Sequence, residues 1–319
     1  MEKIWLIKSE EETDPRFGKK PEERTIPELI SSSIIIVDKH SGPTSHQITS
    51  WVKEIFKIKK AGHAGTLDPS VTGVLPIALE NATKAMIVLM GLDKEYVGVM
   101  HLHKEVPEEI LRETTKKFIG KIKQLPPLKS AVARRVRERR IYFFDILEVE
   151  GKDVLFKVGC EAGTYIRKLV HDFGVKLKVG AHLTQLRRTK AGNFEEEQAF
   201  PLLTIRDAYE FWKEGDEKLL RKILIPVEYA ILHVKRVFVK DTAIDSICNG
   251  APVYVSGITR IQKGIEKGEI VAIYSLKEEL IALGKARINS KEMFERKKGV
   301  AVQTDRVFMK RGTYPNFKT

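Results

Sequence analysis

Gly62-His63-Ala64-Gly65-Thr66-Leu67-Asp68-Pro69, taken up again at Gly73-Val74-Leu75-Pro76, is the stretch on which the reading of this chain turns. Glycine lets a backbone adopt angles other residues avoid and pass close to a substrate. Pro69 confines Asp68 to extended geometry. The run Gly73 to Leu79 is apolar and strand-like. Asp68 is therefore expected on a stiff loop between two strands, where a carboxylate can be presented to a substrate. Taken alone, an Asp-Pro pair also reads as an ordinary turn initiator.

Upstream, the β-branched run Ile34-Ile35-Ile36-Val37 reads as a buried strand. A polar turn follows from Asp38 to Thr44. Thr44 or Ser45 can then cap a helix on which Ile48, Trp51, Val52, Ile55 and Phe56 fall at helical spacing. Downstream, a helix is expected over Thr83–Met90 and a strand over Tyr96–Leu102. Pro107 opens a helix that Gly120 closes. Residues 141–160 read as a hairpin turning at Gly151, Tyr165–Leu177 as an amphipathic helix, and 201–225 as two short helices. After Pro226, short strands alternate with Gly250, Gly257, Gly264, Gly268 and Gly284, the texture of a small β-barrel-like domain over 234–309. Residues 1–12 suggest a short strand and 13–31 an ordered arm or linker. The arm is expected to pack on the C-terminal domain, because Ile4, Trp5, Leu6 and Ile7 need burial.

A chain of 319 residues suits two domains, and 42 % hydrophobic residues suffice for a real core. Lys and Arg number 56 against 43 Asp and Glu, a formal charge of +13. Such an excess favours a polyanionic partner, since each cation that neutralises a phosphate releases a counterion. Charge alone does not choose between DNA, RNA and an anionic membrane. The two cysteines, Cys160 and Cys248, form no CxxC pair, and no HExxH occurs, so no metal is expected. No apolar run approaches the length of a membrane span, and the first dozen residues lack a secretory h-region. A cytoplasmic protein is the expectation.

The segment Asp38-Lys39-His40-Ser41-Gly42-Pro43-Thr44-Ser45-His46, followed by the Gly62–Pro76 stretch, resembles two motifs of the TruB-like family of pseudouridine synthases: D-K-P-x-G-x-T-S-H, then G-H-x-G-T-L-D-P with G-V-L-P. His40 stands where that family usually has proline. Lys94-Glu95-Tyr96, Gly163-Thr164-Tyr165-Ile166-Arg167 and Leu183-Thr184-Gln185-Leu186-Arg187-Arg188-Thr189 are similar to three further motifs of the family. The resemblance implies an α+β fold: a mixed, mainly antiparallel sheet flanked by helices and loops. It implies Asp68 as nucleophile, Arg167 pairing with it, and Tyr96 stacking on the target base. Tyr165 would border that base, with its hydroxyl a candidate relay for the C5 proton, and Leu186 would form an apolar wall. His63 is expected to organise the loop or touch RNA. The reaction breaks the bond from ribose to uracil N1 and remakes it at C5, so no cofactor is expected. Whether Asp68 attacks C1′ or the ring, or assists through a glycal, stays open.

Pro126-Pro127-Leu128-Lys129-Ser130-Ala131 leads into Arg134, Arg135, Arg137, Arg139 and Arg140, an arginine-dense loop expected to clamp phosphates. The region from Ile247 to Ala286 resembles a PUA domain. Together these features resemble the archaeal and eukaryotic dyskerin branch of the family. That branch implies partners: an H/ACA guide RNA, a substrate RNA, and small zinc-ribbon-like, small β-barrel and kink-turn-binding core proteins. The expected division is an arm at 1–32, a catalytic domain at 33–226 and a PUA domain at 234–309. Two alternatives remain: a stand-alone synthase acting on the T-loop of transfer RNA, and a non-catalytic RNA-binding scaffold.

Overall fold

The computed structural model describes residues 4–125 and 135–316. Its strands, in chain order, are β1 (Trp5–Ile7), β2 (Ser33–Lys39), β3 (Ala61–His63), β4 (Thr72–Leu79), β5 (Lys94–Leu102), β6 (Gly120–Gln124), β7 (Arg137–Glu150), β8 (Asp153–Cys160) and β9 (Ala181–Ala191). Then come β10 (Phe194–Glu195), β11 (Ile225–Pro226), β12 (Arg236–Val239), β13 (Val253–Tyr254), β14 (Ile258–Gln262), β15 (Ile270–Tyr274), β16 (Leu280–Ala286) and β17 (Val300–Val307). The chain forms two compact units. One comprises Ile35–Ile77 and Leu89–Ile223; the other comprises Met1–Ile34, Ala78–Val88 and Leu224–Thr319. The segment Ala78–Val88, inside the span expected for the catalytic domain, thus groups with the second unit.

The first unit is organised by a mixed sheet in the order β2-β4-β9-β5-β8-β7-β6, with β3 on β4 and β10 on β9. The β4–β9 pair is parallel; β9–β5, β5–β8, β8–β7 and β7–β6 are antiparallel. Helix Ser45–Phe56 begins in a capping box: Thr44 Oγ1 accepts from Gln47 N–H at 3.1 Å, and Gln47 Oε1 accepts from Thr44 N–H at 2.8 Å. Ile48, Val52 and Phe56 are buried as their spacing requires. Trp51 is exposed instead, and lines a cleft of about 770 Å³ with His40, Leu202, Leu203 and Arg206.

Several local expectations are corrected. The helix after Pro107 covers only Glu108–Lys116, and Gly120, at φ +96°, begins β6. Its left-handed backbone turns the chain from helix into strand. The helix expected over Thr83–Met90 is split into a 3₁₀ turn, Glu80–Ala85, and a short α-helix, Met86–Leu89. The arginine-dense stretch is not loop throughout. Arg137, Arg139 and Arg140 lie in β7, hydrogen-bonded in register with Gln124, Ile122 and Lys121 of β6. Backbone pairing with β6 holds them extended where side-chain composition suggested a loop. Pro126–Ala131 and Arg134 lie outside the described residues. β9 was not expected as a strand at all, because His182, Thr184, Gln185, Arg187, Arg188 and Lys190 break any apolar alternation. It forms because β4 and β5 pair with it on both edges.

In the second unit, the sheet order is β1-β14-β12-β15-β16-β17-β13. Val237, Val239, Ile261, Val271, Ile273 and Val302 fill its core, and helices Asp241–Cys248 and Ser290–Glu295 add Ile244, Ile247 and Met293. The arm belongs to this unit. Trp5, Leu6 and Ile7 pair with Gln262, Ile261 and Arg260, and the Trp5 ring meets Phe238 edge-on at 5.4 Å. Lys8 Nζ donates to the carbonyls of Met293, Phe294 and Arg296, at the end of the last helix. Arg24 forms a two-bond ion pair with buried Glu228 at 3.0 and 2.7 Å. Of the apolar residues at the start, Leu6 packs on the core, but Ile4 and Ile7 are 60 % and 56 % exposed.

Candidate active site

Asp68 sits between β3 and β4 on a loop whose carbonyls are held from beneath. Lys39, fully buried at the end of β2, donates through Nζ to the carbonyls of His40, Pro69 and Val71 at 3.0, 2.9 and 2.8 Å. Gly42 N–H reaches the Pro69 carbonyl at 2.9 Å, and Val71 N–H closes a turn onto the Asp68 carbonyl at 3.0 Å. Ser45 Oγ, also buried, accepts from Leu67 N–H at 2.9 Å and donates to the Leu67 carbonyl at 3.0 Å. The backbone on both sides of Asp68 is thus satisfied by the Asp38–His46 segment, which leaves the carboxylate free to face outward.

That carboxylate meets Arg167, whose Nη2 lies 3.1 Å from Asp68 Oδ2. Arg167 stands in the first turn of helix Ile166–Lys176, for which Tyr165 is the N-cap. Gln124 fixes Tyr165 through its backbone: Tyr165 N–H donates to Oε1 at 3.0 Å, and Nε2 donates to the Tyr165 carbonyl at 3.1 Å. The loop before it depends on Gly163, at φ +81°, where a Cβ would lie 3.1 Å from the Arg139 guanidinium.

Beneath the loop, Arg188 is 1 % exposed. Its Nε donates to the Val74 carbonyl at 2.7 Å and its Nη2 to the Gly65 carbonyl at 3.0 Å. A register shift in β5 between Glu95 and Tyr96 sets Tyr96 opposite Arg188. Tyr96 is buried, at 8 % exposure, and burial raises its hydroxyl pKa. Lys94 occupies the same inward face of β5, and burial, reinforced by Arg188, brings its ammonium down to about 8. Leu186 lies against Gly98: a Cβ there would be 2.9 Å from Leu186 Cδ1.

His63 is tied into the loop. Its Nδ1 is 3.3 Å from Thr49 Oγ1 and its Nε2 is 3.2 Å from Thr66 Oγ1. Thr49 already donates to the Ser45 carbonyl, so the proton belongs on His63 Nδ1. Burial, then the neighbouring His46 and Arg188, lowers the His63 pKa, which favours the neutral ring. Among the described residues, no group of three or more His, Cys, Asp or Glu could hold a metal ion.

Comparison with known proteins places this geometry in a family. Residues 53–166 match the N-terminal domain of TruB family pseudouridylate synthases, 167–232 the C-terminal domain of tRNA pseudouridylate synthase B, 235–308 the PUA domain and 2–49 the DKCLD domain. The "Probable tRNA pseudouridine synthase B" of Methanopyrus kandleri is 55 % identical over 311 residues, which is 97 % of this chain and 92 % of that one. The chain belongs to the TruB family of pseudouridine synthases. The protein of the same name from Methanocaldococcus jannaschii is 53 % identical over 97 % of this chain and 93 % of its own. Two solved structures are similar over 99 % of this chain, each with a TM-score of 0.93: "Structure of H/ACA RNP bound to a substrate RNA containing 2'-deoxyuridine", at 47 % identity and 98 % of that chain, and "Crystal Structure of a Cbf5-Nop10-Gar1 Complex", at 49 % identity and 97 % of that chain. With the DKCLD and PUA domains, these matches put this TruB-family chain in the dyskerin-type, archaeal branch.

Of the residues singled out from the sequence of this pseudouridine synthase, Asp68 and Arg167 are in contact, Tyr165 adjoins them through its helix, and His63 braces the loop. Tyr96 lies on β5 opposite Arg188, and Leu186 lies on β9 opposite Gly98, two residues further along β5. Arg137, Arg139 and Arg140 stand apart on the β6–β7 ribbon, though Arg139 reaches the Gly163 turn. Sequence reasoning missed Lys39, Ser45, Lys94 and Arg188. One signal was available for Lys39: it ends a β-branched run on a buried strand, where a lone ammonium must find acceptors. Among the described residues, no helix is long and apolar enough to cross a membrane.

Proposed function

We propose that this synthase isomerises uridine to pseudouridine in RNA with Asp68 as its nucleophile, and that an H/ACA guide RNA within a ribonucleoprotein selects the target. The observation that carries the chemistry is the Asp68–Arg167 pair, held at 3.1 Å on a loop braced from below. The guanidinium directs the carboxylate. Tyr96 stacks on the extruded uracil, Leu186 walls the pocket, and Tyr165 borders the base. A flipped base is read by such stacking and edge contacts. The C1′–N1 bond breaks, C1′ joins C5, and the proton leaving C5 balances the one gained at N1, so no outside group enters.

The guided reading is supported by similarity along almost the whole chain to proteins solved in complexes named for H/ACA RNP and for Nop10 and Gar1. It implies the same class of partners here: guide and substrate RNA, with small zinc-ribbon-like, small β-barrel and kink-turn-binding core proteins. Arg134, Arg135, Arg137, Arg139 and Arg140 hold RNA phosphates. The working division is an arm at 1–32, a catalytic domain at 33–226 and an RNA-binding PUA domain at 234–309. The names of the relatives favour a second reading, modification of transfer RNA without a guide.

A pseudouridine assay on the chain and its core proteins, with and without an H/ACA guide, separates the two readings. Product that needs the guide and vanishes in Asp68→Ala is expected. Product without a guide, still lost in Asp68→Ala, would establish the transfer-RNA reading, and product surviving in Asp68→Ala would overturn the nucleophile.

A further inference from the structure

Gln124, the last residue of β6, is 2 % exposed and directs its amide at a single residue. Tyr165 N–H donates to its Oε1 at 3.0 Å, and its Nε2 donates to the Tyr165 carbonyl at 3.1 Å. Only one orientation of the amide satisfies both bonds, so the side chain acts as one peptide unit of a neighbouring strand. Packing alone at a buried position needs no amide, and burying one without partners is costly. The pair of bonds fixes Tyr165 in both position and orientation.

Tyr165 is where helix Ile166–Lys176 begins. Its backbone is extended, at φ −93° and ψ 101°, and its side chain makes no capping bond. Helices commonly set their own start with Ser, Thr, Asp or Asn at this position. Here the start is fixed from outside: the Tyr165 carbonyl accepts the first helical bond, from Leu169 N–H at 3.0 Å, and the Gln124 amide as well. Arg167, two residues further on, is the group that reaches Asp68. The turn leading into the helix hangs on the same β6–β7 ribbon. Glu161 N–H donates to the Arg140 carbonyl at 2.8 Å, Glu161 Oε2 accepts from Arg140 N–H at 3.0 Å, and Gly163 lies against the Arg139 guanidinium. Those ties hold the turn as far as Gly163, and Gln124 extends the hold to the helix cap.

We propose that Gln124 is a positioning residue that sets Arg167, through the Tyr165 backbone, against the Asp68 carboxylate. This rests on the function proposed above. Arg167 and Asp68 are both exposed, so water screens their attraction and the pair does little to hold the helix in place. The direction of Arg167 comes instead from the backbone that carries it. A small tilt at Tyr165 becomes a larger displacement at the end of the long Arg167 side chain. Gln124 is bonded to the Tyr165 backbone and not to the carboxylate, so it acts on the reaction at one remove.

The test is pseudouridine formation by the full chain with its core proteins, guide and substrate RNA, read as kcat and KM per folded molecule. Gln124→Met keeps the shape of the side chain and removes both bonds. It is expected to lower kcat by about 10- to 100-fold, the scale of a small misplacement of reacting groups. KM for RNA should change less than about twofold, because phosphate contacts supply the affinity. A lower melting temperature with kcat intact would overturn the proposal, since Gln124 would then only brace the fold. A raised KM with kcat intact would overturn it too. Gln124→Glu gives a second reading, which stands even if Gln124→Met does not fold. A protonated glutamic acid reproduces both bonds, its carbonyl oxygen accepting and its hydroxyl donating, whereas the carboxylate has no proton to donate. The kcat of Gln124→Glu relative to wild type should therefore rise as pH falls through the titration of this buried carboxyl. A ratio that does not vary between about pH 5 and 8, the range to which burial brings such a group, overturns the proposal. The Asp68→Asn control separates the two levels. Turnover surviving in Asp68→Asn defeats the function proposed above, whereas an inactive Asp68→Asn beside a fully active Gln124→Met defeats only this inference.

Discussion

Arg167 Nη2 lies 3.1 Å from Asp68 Oδ2, with side chains 62 % and 58 % exposed. At that exposure water and salt screen the attraction, so the pair aims the carboxylate and adds little to folding. A buried partner would have made Asp68 a structural group; an exposed one leaves it available to a substrate that displaces water from the pair.

Asp68→Asn should therefore leave the free energy of unfolding within about 0.5 kcal/mol of wild type. Pseudouridine formation should fall by more than about a thousandfold, as expected when a nucleophile is lost. Urea titration and a tritium-release assay on 5-tritiated RNA measure the two quantities. A large stability loss with modest loss of turnover would assign Asp68 to the scaffold.

Lys94 supplies a pH dependence. Its ammonium titrates at about 8 in the fold against 10.5 as a free side chain. Between those values the unfolded chain binds the extra proton, so Lys94 opposes folding most below the window and progressively less as pH rises through it. Lys94→Met removes this titration. Its stability relative to wild type should be most favourable below about pH 8 and should decline by up to about 3 kcal/mol toward pH 10.5. Denaturant midpoints of both proteins at several pH values provide the check; a difference that does not vary with pH would count against the buried ammonium.

The β6–β7 ribbon carries Arg137, Arg139 and Arg140, paired with Gln124, Ile122 and Lys121. Replacing all three by glutamine should weaken RNA binding at low salt. The slope of log affinity against log salt should become shallower by about two to three, one unit or slightly less per lost phosphate contact. Binding isotherms over a series of salt concentrations measure it, and an unaltered slope would remove these arginines from the RNA path.

The arm makes a stability prediction. Trp5 meets Phe238 edge-on, and the Arg236 guanidinium sits 5.9 Å from the Trp5 ring centre. Trp5→Ala should destabilise the second unit by about 2 kcal/mol or more, through lost area and ring contact. Ile7→Ala, at an exposed position, should change it by less than about 0.5 kcal/mol. Hydrogen exchange at Ile261 and Phe238 reports both; equal effects would mean that the arm does not dock as one strand.

Much of this molecule was legible from local pattern. The capping box at Thr44 and Gln47, the Ile34–Val37 strand and the hairpin at Gly151 are set by neighbouring residues, through spacing and turn chemistry. Asp68, Arg167, Tyr96 and Tyr165 could be singled out because they sit in long, ordered motifs. β9 could not be read as a strand, since its stability comes from backbone pairing on both edges. Arg188 lies inside the Leu183–Thr189 motif, but nothing local distinguishes it in a chain of 56 Lys and Arg.

The sequence by itself determined which groups this protein has for its chemistry and the order in which short-range rules deliver them: a carboxylate ahead of a proline on a glycine-rich loop, a tyrosine early in a strand, an arginine just inside a helix. Tertiary structure alone decided which cations face water and which are buried. Arg167 comes to Asp68 across a sheet, while Lys39 and Arg188 turn inward and spend their hydrogen bonds on the carbonyls of the loop that carries it. Burial is a property of how strands register against one another, and a one-residue shift in that register exchanges inside for outside. Composition counts these cations alike; only packing separates the ones that face water from the ones that hold the loop in shape.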